Sequence, residues 1–508
     1  MGFLKAAGRD ILLDGKPILL RGVGLGGWLL PEGYMWKLYD ACDRPRRMEA
    51  LIKELCGSAY AEQFWRNYFD RYISSWDLAL IKKEGFNSVR LPINARHLHK
   101  EETLSRIDNL ISLCRELGLL VILDMHGAPG GQTGTNIDDS ANDRPELFEK
   151  EAYQQELIDL WRMLARRYKD ETAVAGYDLM NEPLPEWFGS FNPMVLPLYR
   201  RLVQAIREED TNHMIIVEGT HWATDFSIFD PLQNTSLDDN CMLQFHKYWS
   251  NPDKESIMPF LQYRERLNMP LFMGEGGENN LAWYTAAFPL YERENISWSF
   301  WSYKKMDCKN SPVTFLEPAG WKDLIRHLKG EMSLTAQQAE QIFESFLNSI
   351  ASPKINQEVF RALKREAPLS IPAEHFDACS AVSKRLSGAE YRLGESLTIL
   401  FENGKTGKPN YQRYGGEDQP EEENLVLRLL PGDRAAYWFV MKEDSSITIT
   451  ARGPGRIGLC AGHWQESIDV SAQWGSYSLI CETIGTGGME LWVTGLSGEV
   501  LLDTIQIG

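Results

Sequence analysis

Leu119-Leu120-Val121-Ile122-Leu123-Asp124-Met125-His126-Gly127 is the stretch that decides the fold. Five apolar residues follow one another without interruption, and the run then breaks into Asp, His and Gly. A strand with one wet face alternates apolar and polar residues. An unbroken apolar run of strand length is a strand buried on both faces, as in a parallel sheet covered by helices. Comparable runs place strands at Ile18–Leu25, Ser88–Ile93, Leu120–Met125, Val174–Asn181, His213–Glu218, Met242–Tyr248, Pro270–Glu275 and Ile296–Tyr303. Eight parallel strands close a barrel, so the expected fold is α/β, a (β/α)8 TIM barrel.

The segments between the strands carry helical spacing. Phe64, Trp65, Tyr68, Phe69, Tyr72 and Ile73 form one stripe, and Leu157, Trp161 and Leu164 another. After the eighth strand Ile342, Phe343, Phe346, Leu347 and Ile350 repeat the pattern, with Thr335 placed to cap the helix. The barrel is expected to span 1–366. From Pro372 the texture changes to short β-rich runs such as Ser396–Leu400, Asn424–Leu429, Ser446–Thr450, Ser476–Cys481, Gly488–Val493 and Val500–Ile507. Turns at Pro431-Gly432-Asp433 and Gly485-Thr486-Gly487 separate them. Closely spaced strands without helices predict an antiparallel, jelly-roll-like β-sandwich over 371–508.

In a barrel the carboxyl ends of the strands face one mouth, so polar residues at those ends converge in space. The second strand carries Arg90 and the third ends in His126. Asn181-Glu182-Pro183 ends the fourth, Glu218 the fifth, His246-Lys247-Tyr248 the sixth, Glu275 the seventh and Trp301 the eighth. Singly, each of these is more often structural than functional. Together they include three carboxylates: Glu182 and Glu275, at the ends of the fourth and seventh strands, and Glu218, for which a supporting role is expected. A pair of carboxylates flanking a scissile bond is what glycosidic cleavage requires. Retention of configuration requires them about 5–5.5 Å apart, and a spacing near 9 Å would mean inversion.

The bulk numbers agree with such a chemistry. At 508 residues the chain calls for more than one domain. A formal charge of −18 disfavours nucleic acid and anionic membrane as partners, but not neutral sugars. No apolar run is long enough to span a bilayer. The 16 Trp residues suit sugar stacking, although packing is the expected fate of most. Eight cysteines lie scattered without CxxC spacing and read as free, mostly buried thiols. No Gly-x-Ser-x-Gly elbow and no clustered metal ligands are present, so no cofactor and no metal are expected. The opening Met-Gly-Phe-Leu-Lys lacks a basic-then-apolar leader, which predicts a cytoplasmic location. A secreted protein trimmed of its leader would read the same.

The strand-end set, above all Asn181-Glu182-Pro183, His246-x-Tyr248 and Glu275, resembles glycoside hydrolase family 5, the cellulase family, over roughly residues 5–330. The resemblance implies Glu182 as acid/base and Glu275 as nucleophile. Asn181 would bond the sugar 2-hydroxyl, and Tyr248 and Arg90 would orient and ionise Glu275. His126 and His246 would shape the subsite, with Trp301 as the stacking floor beneath the sugar. The acid should have a raised pKa and the nucleophile a lowered one. At the front, Arg21-Gly22-Val23-Gly24-Leu25-Gly26-Gly27-Trp28-Leu29-Leu30-Pro31-Glu32 and His126-Gly127-Ala128-Pro129-Gly130-Gly131-Gln132 resemble the exo-β-1,3-glucanase and β-glucosylceramidase-like branch. There Glu32 matches a glutamate that binds the non-reducing-end sugar. Thr133–Ser140 is longer than that branch implies, and His246-Lys247-Tyr248-Trp249 follows the general cellulase pattern.

Trp187, Trp222, Trp249 and Trp283, with Asp143 and Arg144, stand where further subsites could form, and Lys304 and Lys305 read as a basic rim. The ends of the C-terminal segment, Ile371–Asp377 and Gly498–Ile505, resemble a carbohydrate-binding module of family 6 or 35. Tyr411, Tyr414, Trp438, Trp464, Trp474 and Trp492 would be its sugar-stacking residues, unless they are ordinary sandwich core. The expected activity is therefore a retaining β-glycosidase, exo-acting on β-glucosides. An endo-β-glucanase with an open cleft is the alternative, and an inactive carbohydrate-binding protein a remote one.

Overall fold

The computed structural model describes residues 2–38, 42–234, 236–441, 445–481 and 487–508. Eight parallel strands close a barrel: β1 (Arg21–Gly24), β2 (Ser88–Asn94), β3 (Leu120–Gly127), β4 (Val174–Asp178), β5 (Met214–Glu218), β6 (Cys241–His246), β7 (Leu271–Gly277) and β8 (Ser297–Trp301). They pair in sequence order, and β8 returns to β1. Every residue of β2 through β8 is buried, which is why these strands read as apolar runs rather than alternating ones.

The barrel is plugged at its amino end by a short antiparallel meander, Lys5–Ala7, Asp10–Leu13 and Lys16–Pro17. Leu4, Ile11 and Leu20 pack there with Leu120, Ile122, Met214, Ile216, Met242 and Phe272. The apolar layer thus sits at the bottom and leaves the carboxyl ends for polar groups. The sequence reading passed over this meander, although Asp14-Gly15, both at positive φ, is a two-residue hairpin turn in its own right.

The expected helices form. Ser58–Tyr72 and Glu151–Tyr168 bury Phe64, Tyr68, Trp161 and Leu164. Ala336–Ile350 starts on a capping box in which Thr335 accepts from the Gln338 amide and the Gln338 side chain accepts from Thr335. Lys304 and Lys305 are not a rim. They lie on a buried strand, Lys304–Met306, with Lys304 Nζ 2.6 Å from Asp77 Oδ1. The charge of Lys304 pointed outward in the sequence because its partner, Asp77, comes more than two hundred positions earlier.

Two compact units emerge. One comprises Met1–Lys247, Phe260–Gly277 and Asn295–Ile355, and holds the whole barrel sheet. The other comprises Tyr248–Pro259, Glu278–Glu294 and Asn356–Gly508. The second contains two antiparallel sheets. One orders Thr398–Phe401, Leu425–Leu429, Val500–Ile507, Ser445–Arg452 and Gly475–Cys481, with Leu369–Pro372 on Val500–Ile507. The other orders Ala378–Ser380, Arg434–Met441, Gly487–Ser497, Gly455–Ala461 and Trp464–Val470. This is the antiparallel β architecture expected after the barrel. Of the turn expected at Gly485-Thr486-Gly487, the first two residues lie outside the described residues.

The helix Leu281–Arg293, which follows β7, belongs to this second unit. Asn279 Nδ2 donates to the Tyr411 carbonyl at 2.7 Å, and Arg365 Nε to the Thr285 carbonyl at 2.6 Å. Seven of the eight cysteines have a described side chain, and all seven are free. Cys42, Cys114 and Cys241 are buried and the other four half-buried, so "mostly buried" holds for fewer than half. No described helix is long and apolar enough to cross a membrane.

Candidate active site

Arg90 sits in the interior of the barrel mouth with no exposed surface. Its guanidinium donates to Glu275 Oε1 at 2.5 Å, Asp178 Oδ2 at 2.9 Å, Asn181 Oδ1 at 2.8 Å and Glu218 Oε1 at 3.1 Å, and lies 3.2 Å from Asp124 Oδ1. One cation therefore organises carboxylates from β3, β4, β5 and β7. Its own pKa is driven up: burial opposes the charge, but Asp124, Asp178, Glu275 and Glu218 overcome it.

His246, at the end of β6, joins the two glutamates. Its Nδ1 is 2.6 Å from Glu182 Oε1 and 3.6 Å from Glu275 Oε2, and its Nε2 is 3.5 Å from Glu218 Oε1. Burial favours the neutral ring, yet the carboxylates of Glu218, Glu275 and Glu182 raise its pKa well above the usual range. One ligand atom each from Glu182, His246 and Glu275 lies within 4.8 Å of the others. A Glu182 oxygen is thus no farther than that from a Glu275 oxygen, which fits the retaining spacing of about 5–5.5 Å and not the inverting one.

His126 completes the floor. Its Nδ1 meets Asp124 Oδ2 at 2.7 Å, its Nε2 is 3.5 Å from Asn181 Nδ2, and its ring stacks on Trp301 at 5.3 Å with the planes 10° apart. Trp301 Nε1 donates to the Tyr34 hydroxyl at 3.0 Å. The indole lies so close to the first strand that a Cβ on Gly24 would stand 2.5 Å from it and one on Gly26 2.7 Å. The glycine run after Arg21 is there to admit this ring. Glu32 is buried just before the turn Gly33–Trp36 that supplies Tyr34. Tyr248 lies in the second unit, half-buried.

Glu182 itself is held at a φ of +42°, a conformation costing about 1–3 kcal/mol for a residue with a side chain. Glu218 supports it, with Oε2 accepting from the Glu182 amide at 2.7 Å. Gln132 ties the neighbouring loops by donating to the carbonyls of His126 at 2.7 Å and Asn181 at 2.9 Å.

Sequence reading left Asp178 and Gln244 out of this site and gave Asp124 no role. Gln244 Nε2 donates to Asp178 Oδ2 at 3.0 Å and to Glu218, and lies 3.1 Å from His246 Nε2. The signal was present: Asp124 precedes His126, and Gln244 precedes His246, by two residues, which puts both members of each pair on one face of a strand. Asp178 is raised well above the carboxylate range, by burial and by Glu218.

The loop after β3 is a folded wall. Asp138 Oδ2 accepts from the amides of Thr133 at 2.8 Å and Gly134 at 2.9 Å. Asp143 is paired with Arg44 and Arg47, and Arg144 with Glu149. Trp187 and Trp222, on the loops after β4 and β5, meet edge-to-face at 5.8 Å, and Trp187 is 66% exposed. Trp283 is wholly buried core of the second unit.

The triads Asp124–His126–Glu275 and Glu182–His246–Glu275 carry donor atoms of the kind that bind cations. Arg90 already places a fixed positive charge against Asp124 and Glu275.

Glu275 does not have the lowered pKa that the neighbouring cation led one to expect. Burial raises it above its ordinary 4.5, against the pull of His246 and Arg90, with Glu182 adding to the rise. A nucleophile must be ionised, so activity is lost as pH falls through this raised value. The acid limb of kcat/KM, which reports the free enzyme, is expected above pH 4.5. A limb below 4.5 would contradict the geometry.

A closed barrel whose mouth holds Glu182 and Glu275 as a close, buried pair is the arrangement a glycosyl hydrolase uses. Comparison with known proteins makes the class definite. The family model for cellulase, glycosyl hydrolase family 5, matches residues 54–307, half of the chain. The chain is 32% identical over 442 residues to a "Beta-xylosidase" of Phanerodontia chrysosporium, covering 78% of this chain and 89% of that one. It is 26% identical to an "Endoglucanase C" of Acetivibrio thermocellus, over 48% of this chain and 88% of that one. It is 25% identical to "Probable glucan 1,3-beta-glucosidase A" of Aspergillus fumigatus, over 51% and 64%. The chain belongs to glycoside hydrolase family 5. It is a retaining O-glycosyl hydrolase, and its substrate is a carbohydrate.

Proposed function

We propose that the protein is an exo-acting retaining β-glycosidase, removing a terminal β-glucosyl unit by double displacement. Glu275 attacks the anomeric carbon while Glu182 protonates the departing oxygen. Glu182 then takes the proton from the water that releases the sugar. Arg90 holds Glu275 in line and His246 holds Glu182. Asn181 binds the 2-hydroxyl, His126 and Trp301 form the sugar floor, and Glu32 completes the pocket. The observation that carries this reading is the separation of no more than 4.8 Å between oxygens of the two buried glutamates.

The exo mode is favoured by the buried Glu32 and by a loop after β3 fixed through Asp138. Relatives named glucan 1,3-beta-glucosidase and beta-xylosidase point the same way. The relative named endoglucanase keeps an open-cleft enzyme as the second reading. The barrel, 1–366, is read as the catalytic domain and 371–508 as an accessory domain of carbohydrate-binding-module type. Tyr411 is buried there, whereas Tyr414 and Trp438 are exposed.

A panel of aryl β-glycosides followed by a long glucan decides between the readings. Release of single sugars from the chain end supports exo action, and mid-chain products overturn it. Preference for the β-xyloside would keep the mechanism and replace glucose by xylose. Trp187→Ala is expected to raise KM for oligosaccharides by about tenfold, the loss of one aromatic contact, and to leave aryl glycosides unaffected. Equal effects on both would remove Trp187 from the aglycone side.

A further inference from the structure

The helix Ser58–Tyr72 has two working faces. Phe64, Tyr68 and Tyr72 are buried, but Trp65 and Phe69 are only half-buried and line a groove of about 510 Å³ together with Arg66, Lys53, Lys100 and Arg106. None of these residues belongs to the site described above. The volume lies within the range of about 300–1,000 Å³ typical of small-ligand sites. The two rings stand 5.8 Å apart with planes 31° from parallel, and the Arg106 guanidinium sits 5.4 Å from the Phe69 centroid. The groove thus joins two aromatic rings to cations, one of which, Arg106, lies over Phe69.

The charges around it are unequally committed. Glu49 accepts two bonds from Arg96, at 2.8 and 2.9 Å, and Glu102 one from Arg106 at 2.8 Å. Lys53, Arg66 and Lys100 are exposed. The described polar contacts of Arg66 and Lys100 are with Gln63 and His97, not with carboxylates. Among the lining acids only Glu62 has no described ion pair. In a chain carrying −18 overall, three cations without described carboxylate partners beside an aromatic floor form a locally anion-seeking surface.

We propose that this groove binds an oligosaccharide bearing uronic acid. Its sugar face rests on Trp65 and Phe69, and its carboxylate is taken by Arg66 and Lys53, with the guanidinium suited to a bidentate grip. The sugar half of the assignment rests on membership of a glycosidase family, and the anion half on the cations alone. A polysaccharide with acidic residues would thereby be held by a point other than the one it is cut at.

Calorimetric titration of the full chain with trigalacturonate and with neutral cellotriose tests this. Trigalacturonate is expected to bind, and to bind at least tenfold more weakly in Lys53→Glu/Arg66→Glu. The same weakening is expected on raising the salt to 1 M, because exposed charges are screened, while Lys53→Arg should bind as the wild type does. Aryl β-glycoside hydrolysis should be unchanged in every variant. Absence of trigalacturonate binding, undiminished binding by the double variant, or cellotriose binding as tightly would overturn the proposal. Failure of aryl glycoside hydrolysis in the wild type would instead count against the β-glycosidase reading, so the two failures are distinguishable.

Discussion

Glu275→Ala is expected to lose on the order of 10⁵- to 10⁶-fold in kcat, the scale seen when a covalent nucleophile is removed. The covalent route has no other entry point, since Glu218 is fully buried and turned toward Arg90, Gln244 and the Glu182 amide. Added azide should restore part of the rate by occupying the space of the missing carboxylate, giving the α-glycosyl azide from a β-glycoside. Glu182→Ala should behave differently. Azide then acts on the glycosyl-enzyme and gives the β-glycosyl azide, and substrates with good leaving groups suffer far less than those needing protonation. Were Glu275→Ala to retain a tenth of the activity, or were the two azide products exchanged, the assigned roles would be wrong.

Arg90→Met should be the most damaging change that leaves both catalytic glutamates in place. It strips the guanidinium on which Asp124, Asp178, Glu218 and Glu275 converge. Removing one partner from a buried ionic cluster costs about 3–5 kcal/mol, because the remaining charges stay buried without compensation. Thermal unfolding should therefore fall by many degrees. Activity should fall with it, and the acid limb of kcat/KM should move to still higher pH, because Arg90, with His246 and His126, pulls Glu275 down. Loss of stability with an unmoved acid limb would make Arg90 merely structural. Arg90→Lys should restore part of the stability but little activity, since an ammonium cannot span Glu275, Asn181 and Asp178 as the planar fork does.

The barrel was legible because burial on both faces leaves an unbroken apolar run, and all eight runs became strands. Asn181, Glu182, His246 and Glu275 were legible because strand ends are marked by an abrupt change to polar residues. What escaped depended on distance along the chain. Lys304 read as surface because Asp77 is far away in sequence, and the partners of Asp143, Arg44 and Arg47, come nearly one hundred residues earlier. The helix after β7 looked like any other barrel helix. Its contacts, those of Asn279 with Tyr411 and of Arg365 with Thr285 among them, place it in the second unit. The expected pKa of Glu275 failed for a physical reason: the sequence shows the arginine but not how dry the pocket is, and here desolvation outweighs the cation. Among the tryptophans, only solvent exposure separates Trp187 from Trp283.

Trapping the glycosyl-enzyme tests the account most directly. The 2-deoxy-2-fluoro analogue of whichever aryl β-glycoside the protein turns over should inactivate it. Peptide mapping by mass spectrometry should then find one sugar attached to Glu275. A sugar on Glu182 or Glu218, or turnover with inverted configuration and no adduct, would contradict it.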